Sequence, residues 1–169
     1  MSKTTIFIVF AFIIGFLTIN SLFTMNERQQ GLVLQFGEPK RVIQDSGLHV
    51  KLPVIQNTIK YDKRILEYDL PIEEVIAVDK KRMLIDSFTR FKITDPLEFY
   101  KTVGTESNVR NRLNSNVISS LRRVVGRVTL DELLSEDRSK IMEDIKMEVN
   151  NEASRFGIEI VDVRIRRAD

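Results

Sequence analysis

The chain has no cysteine and no tryptophan, and its one histidine is His49. The absence of cysteine excludes disulfides, thiolate metal sites and cysteine nucleophiles. A single histidine leaves little scope for histidine-based catalysis or metal binding. Because His49 lies between Leu48 and Val50 in an alternating segment, we interpret it as a solvent-facing or hydrogen-bonded strand residue.

Catalytic and phosphate-binding motifs are also missing from the sequence. The seven glycines are isolated from one another, so no glycine-rich phosphate loop is formed. No GxSxG or SxxK pattern places a serine at a strained turn or a helix start, although composition alone leaves a serine–lysine dyad open. We therefore expect no catalytic residue, no cofactor site and no metal site.

Charge of one sign is not in large excess, since 26 Lys and Arg stand against 24 Asp and Glu. A net charge of +2 implies no polyanionic partner for the whole chain. Nucleic-acid binding by the arginine-rich segment 106–127 is not expected, because no aromatic residues are interleaved there.

The clearest positive feature is an uncharged run of 22 residues from Thr4 to Met25. As a helix it reaches about 33 Å, enough for a hydrocarbon core of about 30 Å. A buried core helix and a cleaved signal peptide are the alternatives, but no small-x-small cleavage pattern precedes Asn26. We predict a cytoplasmic tip at 1–5, an uncleaved membrane anchor at 6–25 and a domain at 26–167. The residues assigned to the membrane anchor are Ile6, Phe7, Phe10, Ile13, Phe16 and Leu22.

The flanks of this run indicate its orientation in a membrane. Lys3 and the free amine precede the run, whereas Asn26, Glu27 and Arg28 follow it and are nearly neutral together. The positive-inside rule therefore favours a cytoplasmic N-terminus with the domain on the other side.

The remaining sequence changes its periodicity once, near Asp95. Residues 31–93 alternate in short segments separated by turns, which predicts antiparallel strands. Helices are predicted from an N-cap at Asp95 to about Val103, from 106 to 125 and from about 136 to 156, with a closing strand at 158–166. The second and third helices each carry an apolar stripe at four-residue spacing, the latter up to Phe156, and are ended by Gly126 and Gly157. Thr129–Glu132 is predicted as a capping box. The predicted fold class is α+β, with an N-terminal transmembrane helix followed by a strand-rich part, helices and a final strand.

Two helical segments carry opposite charge. Segment 106–127 has five arginines and one acid, whereas segment 131–155 has eight acids and four bases. These are either two solvated faces or faces that meet, within the domain or between neighbouring subunits. The candidate interface residues are Arg110, Arg112, Arg122, Arg123, Glu136, Asp137, Glu143 and Asp144.

Several long segments carry a resemblance to a known family. They are ERQQGLVLQFGEPKRVIQDSGLHVKLPVIQNTIKYDKRI, KKRMLIDSFTRFKITDPLEFYKTVGTE, RVTLDELLSEDR and GIEIVDVRIRRAD. Over essentially the whole chain, these resemble the HflC-like branch of the stomatin, prohibitin, flotillin and HflK/C (SPFH, or band 7) superfamily.

The resemblance implies a single-pass protein of the bacterial inner membrane with its domain in the periplasm. Its partners would be an HflK-like sister subunit, an FtsH-like AAA+ membrane protease and membrane lipid. Alternating copies of the two subunits would form a cage that modulates access of membrane-protein substrates to the protease. A lipid-organising scaffold without a protease partner is the alternative, and neither function makes the chain an enzyme or requires a cofactor.

Two further expectations follow from the resemblance. The strand-rich part would contact the outer leaflet through Leu48, Leu52, Val54 and Ile55, for which an ordinary buried strand is the alternative interpretation. The closing strand would lead into a long charged helix that forms a coiled coil in the cage wall. Since the sequence ends at Asp169, we expect a fragmentary form, with a short natural variant as the alternative.

Overall fold

A computed structural model describes residues 20–129, 132–133 and 138–168, together with Phe10, Phe12 and Gly15. The chain divides into two units, Met1–Lys63 and Arg64–Asp169, which we call unit 1 and unit 2. The sequence predicted one domain over 26–167, and no pattern in it indicated the division between Lys63 and Arg64.

Unit 1 contains two small antiparallel sheets. In one, β1 pairs with β4; in the other, β2 lies between β3 and β5. Short segments with alternating burial suit this arrangement, because one face of each sheet packs inward. The strands are β1 (Leu22–Met25), β2 (Gln29–Gln35), β3 (Glu38–Ile43), β4 (Gly47–Val50) and β5 (Gln56–Asp62).

The start of unit 1 differs from the predicted helical anchor. Leu22 lies in β1 and not in a helix, so the prediction that the apolar helix continues to Met25 is wrong for its last four residues. The reason is a local alternation: Phe23 and Met25 pack with Val33 and Ile43 in the core, while Leu22 faces outward.

Most of the predicted anchor lies outside the described residues, including Ile6, Phe7, Ile13 and Phe16. Phe10, Phe12, Gly15, Asn20 and Ser21 are described and have helical backbone. Within the described residues, no helix combines the length and the hydropathy needed to cross a membrane.

Unit 2 is a sheet with helices on one face. The long strand β8 is central: β6 and β7 pair with successive parts of one edge, and β9 pairs along the other, all antiparallel. The elements are β6 (Leu66–Asp69), β7 (Glu73–Ile76), β8 (Arg82–Ile93), α1 (Pro96–Thr102), α2 (Glu106–Val125), α3 (Arg138–Ala153) and β9 (Ile158–Ala168).

The helices of unit 2 begin where their capping residues predict. The Asp95 carboxylate accepts hydrogen bonds from the N–H groups of Leu97 and Glu98, and Pro96 occupies the first position of α1. The Thr129 and Glu132 side chains bond reciprocally to each other's backbone N–H, forming the predicted capping box.

The core of unit 2 lies between the helices and the sheet. The stripes predicted at four-residue spacing are buried on both helices, as are the inward residues of β8 and β9. Phe156, predicted as the last residue of the second stripe, is half-buried and lies in a short 3-10 turn after α3. The helical stripe residues are Val109, Leu113, Val117, Leu121 and Val125 on α2, and Ile141, Ile145, Val149 and Ala153 on α3. The predicted α+β order of antiparallel strands, helices and a closing strand is confirmed for the described part of the chain.

Candidate functional site

The outward face of the β1–β4 pair is apolar and exposed. The register places Leu22 opposite Val50 and Thr24 opposite Leu48, and all four side chains are exposed. On the other face, the ring of His49 lies 5.8 Å from that of Phe23. His49 Nε2 also donates a hydrogen bond to the Asp45 carbonyl oxygen at 2.9 Å, so the histidine is a hydrogen-bonded strand residue.

Two neighbouring turns display further apolar side chains in strained conformations. Phe36 has φ 52° and is 81% exposed, and Val54 has φ 72° and is 94% exposed. The turns are adjacent, since the Phe36 N–H donates to the Ile55 carbonyl oxygen at 3.3 Å. A positive φ is unfavourable for an aromatic and more so for a β-branched residue, typically by about 1–3 kcal/mol. Since both side chains are exposed, packing in the core of unit 1 does not explain the strained backbone at Phe36 and Val54.

The residues predicted to contact lipid are all exposed. Leu48 is 65% exposed, Leu52 54%, Val54 94% and Ile55 39%. The alternative interpretation of an ordinary buried strand is therefore wrong for this segment. We refer to these residues together with Leu22, Phe36 and Val50 as the apolar surface of unit 1.

The apolar surface of unit 1 is a candidate binding surface. Complete burial of a Val, Leu, Ile or Phe side chain contributes about 1.5–3 kcal/mol. Soluble monomers rarely expose large contiguous apolar patches, and those that do usually bind a protein or a membrane there. The surface includes Leu22, which was predicted as part of the anchor and which the structure places in β1.

Two residues of the predicted charged interface form ion pairs inside unit 2. The Arg122 guanidinium pairs with Glu73 at 3.0 Å, and Arg123 pairs with Glu148 on α3. The second pair joins the two oppositely charged segments within one chain. For Arg123, the oppositely charged faces therefore meet within the domain.

The other predicted interface residues have varied surroundings. Arg110 lies 6.0 Å from the centre of the Tyr68 ring, and Arg112 lies 5.0 Å from that of Phe156. Such cation–π contacts keep a guanidinium at the surface while covering an aromatic face. Glu143 pairs with Lys146 at 3.2 Å, Asp144 is exposed, and Glu136 and Asp137 lie outside the described residues.

The described part of the chain holds few groups suited to metal binding or catalysis. Within it, no three His, Asp or Glu side chains are close enough together to hold a metal ion. Two adjoining clefts beside β9 are lined largely by exposed residues that already form pairs, including Arg164 with Asp162 at 2.7 Å and Arg90 with Glu67 at 2.8 Å.

Sequence reasoning did not identify Phe36 or Val50 as part of the apolar surface. Phe36 ends an alternating segment and was predicted as strand, but the structure places it in the turn before Gly37. The glycine was the available signal, because a turn that needs φ 89° at Gly37 often bends at the preceding residue too. Val50 pairs with Leu22 of β1, a strand that was not predicted from the sequence.

Comparison with known proteins gives a consistent result. The SPFH domain / Band 7 family model matches residues 23–169. Protein HflC of Haemophilus influenzae is 29% identical over 167 residues, covering 92% of this chain and 57% of its own. The Escherichia coli K12 protein named Modulator of FtsH protease HflC is 24% identical, covering 78% of this chain and 42% of its own. Stomatin-1 of Caenorhabditis elegans is 28% identical, covering 84% and 42%. The chain thus spans about three fifths, 57%, of the first of these relatives.

Proposed function

Because the chain belongs to the SPFH domain / Band 7 family, we propose that it is a membrane-anchored scaffold subunit that modulates an FtsH-like AAA+ membrane protease. The observation that carries this proposal is the similarity to HflC proteins over most of the chain, one of which is named as a modulator of FtsH protease. A scaffold needs surfaces for membrane and partners, and the exposed apolar surface of unit 1 supplies one such surface.

We place the chain in a bacterial inner membrane, with residues 6–21 as a single-pass anchor and the family domain on the periplasmic side. The uncharged run and the Lys3-containing flank support this orientation. Unit 1 then rests against the outer leaflet through Leu48, Leu52, Val54 and Ile55, whose exposure leaves their side chains available to lipid.

The mode of action we propose is geometric. Copies of the chain pack side by side with an HflK-like sister subunit and form a wall around the protease. Such a wall regulates which membrane proteins reach the protease without any chemistry of its own.

Co-purification from mild detergent tests this function directly. We expect the tagged chain, expressed with its neighbours, to recover an HflK-like subunit and an FtsH-like protease in stable complexes. A control carries Phe99→Ala, which removes a completely buried side chain and is expected to destabilise unit 2 by about 3–5 kcal/mol. Recovery of a stable ring without the protease would contradict protease modulation and support the lipid-organising alternative.

The arginine face of α2 gives a second test, at the level of assembly. We propose that Arg122 and Arg123 contribute to the contact between neighbouring subunits beyond their pairs with Glu73 and Glu148. Exposed ion pairs contribute about 1 kcal/mol or less, so Arg122→Glu/Arg123→Glu is expected to change the melting temperature little. The expected effect is a smaller oligomer by native mass spectrometry.

The control for this variant is Lys101→Glu/Arg155→Glu, which changes the net charge equally at two exposed residues of unit 2. The control is expected to keep the assembly of the unsubstituted chain. An unchanged oligomer in the Arg122/Arg123 variant would remove these residues from the interface.

A further inference from the structure

A basic groove lies beside the apolar surface of unit 1. It has a volume of about 230 Å³, and Lys40, Arg41 and Lys51 line it together with the exposed Val50 and Leu52. Among the described residues that line it there is no carboxylate. The groove therefore combines three positive charges with an aliphatic wall.

The cationic groups of the groove retain hydrogen-bonding capacity. Arg41 Nη2 donates to the Val50 carbonyl oxygen at 2.7 Å, which uses one of the five guanidinium N–H groups. Lys40 is 3.8 Å from Glu38 in an exposed pair, a weak contact. Within the described part of the chain, no carboxylate lies within ion-pairing distance of the Lys51 ammonium. An anion with several acceptor oxygens, such as a phosphate, matches these donors.

Hydrogen bonds connect the groove to the end of the apolar N-terminal run. The Lys51 N–H donates to the Ser21 carbonyl oxygen at 2.8 Å, and the Ser21 hydroxyl donates to the Lys51 carbonyl oxygen at 2.6 Å. Lys60 Nζ donates to the Thr24 carbonyl oxygen at 2.9 Å, which adds a further cation beside the same segment. If the run spans the bilayer, Ser21 lies at its surface, and Lys51 is held at the level of the lipid phosphates.

We propose that this groove binds the phosphate of an anionic phospholipid headgroup, with Lys40, Arg41 and Lys51 as its ligands. The proposal rests on the membrane contact of unit 1 and adds lipid selectivity to it. A lipid is the source of the phosphate because Val50 and Leu52 flank Lys51 with exposed aliphatic side chains that suit acyl chains. A free phosphate ion has no apolar group that could be buried against these side chains.

The test uses the full chain reconstituted in phosphatidylcholine nanodiscs that contain spin-labelled phosphatidylglycerol or spin-labelled phosphatidylcholine. The unsubstituted chain is expected to immobilise phosphatidylglycerol preferentially. Lys40→Gln/Arg41→Gln/Lys51→Gln is expected to weaken that preference by about 10- to 100-fold, since each basic residue near an anionic surface contributes about tenfold or less. Lys40 and Arg41 are exposed, Lys51 is half-buried, and the hydrogen bond that Arg41 donates to the backbone of Val50 is an exposed one, so only a small fall in melting temperature is expected.

The control is Lys101→Gln/Arg127→Gln/Lys140→Gln, which removes two lysines and one arginine from exposed sites of unit 2. It is expected to retain the preference. Retention of the preference by the groove variant, or equal loss in the control, would overturn the proposal. Titration with inorganic phosphate and glycerol 3-phosphate forms a second arm, in which binding as strong as that of the lipid would assign the groove to a free phosphate.

A further measurement distinguishes a wrong assignment of the groove from a wrong assignment of the membrane contact. A spin label at residue 54 reports whether unit 1 contacts lipid at all. If that label lies in lipid and the groove variant keeps its lipid preference, the groove proposal alone is overturned. If the label lies in water, the membrane contact is overturned and the groove proposal with it.

Discussion

Gly157→Ala is expected to lower the free energy of unfolding of unit 2 by about 2–5 kcal/mol. Gly157 joins the helical segment to β9 with φ +69°, a conformation that costs an alanine about 1–2 kcal/mol. The added Cβ would also lie 2.4 Å from the Asp95 carbonyl oxygen and 2.9 Å from the Phe99 nitrogen. Relief of such an overlap requires backbone movement, typically at a further cost of about 1–3 kcal/mol.

The neighbourhood of Gly157 leaves little room for that movement. Its carbonyl oxygen accepts hydrogen bonds from the Thr94 N–H at 2.9 Å, the Asp95 N–H at 3.1 Å and the Thr94 hydroxyl at 3.2 Å. These bonds hold the start of β9 against the end of β8 and the N-terminus of α1. A shift at Gly157 therefore disturbs three elements of unit 2 together.

Gly104→Ala is the matched control for this prediction. Gly104 also follows a helix and has φ +79°, but the nearest atom to an added Cβ is the Tyr100 carbonyl oxygen at an ordinary 3.7 Å. We expect a loss of about 1–2 kcal/mol there, from the backbone conformation alone. Thermal unfolding of the two variants measures the difference; equal losses would show that the predicted overlap at Gly157 is absorbed without strain.

Phe36→Asp/Val54→Asp is expected to release unit 1 from the membrane while leaving it folded. Both side chains are almost fully exposed, so their replacement removes no core packing. If both are buried in lipid, their loss reduces the contact by about 3 kcal/mol or more, on the order of 100-fold in the population of the seated state. The result is read from the emission of an environment-sensitive fluorophore on Leu52→Cys, which is the only cysteine in the chain.

Two observations separate this expectation from a structural role. The melting temperature of the double variant is expected to stay within about 2 °C of the unsubstituted chain, since exposed substitutions change stability little. Val54→Gly is expected to raise stability by about 1 kcal/mol, because it relieves the φ of 72°, and yet to weaken the lipid contact. A fall in melting temperature on Val54→Gly would contradict the assignment of Val54 to the surface.

The elements that could be predicted from the sequence are those with local signals. The bounds of α2 follow from a four-residue apolar stripe with Gly126 after it, and the start of α1 follows from Asp95 and Pro96. Gly157 was predicted to end a helix and has the left-handed backbone expected there. Each of these predictions depends on residues within about one or two helical turns of one another.

The elements that sequence reasoning missed depend on distant contacts. Strand β1 lies inside an uncharged run and was not predicted. Its two faces differ because Leu22 pairs with β4 at an exposed position and Phe23 packs near Val33, and both contacts involve residues distant in sequence. The link between Ser21 and Lys51 joins residues 30 positions apart. The exposure of Val54 follows from a left-handed turn that no glycine signals.

A nitroxide at residue 54 measures directly whether unit 1 lies against the lipid surface. The label is attached to Val54→Cys in the otherwise cysteine-free full chain in phospholipid nanodiscs. Its accessibility to oxygen, which concentrates in lipid, is compared with that to a water-soluble nickel complex. The exposed Ile72→Cys of unit 2 serves as the reference position. We expect oxygen to have the higher accessibility at residue 54 and the nickel complex to have little access there; equal access to the nickel complex at residues 54 and 72 would contradict a lipid contact of unit 1.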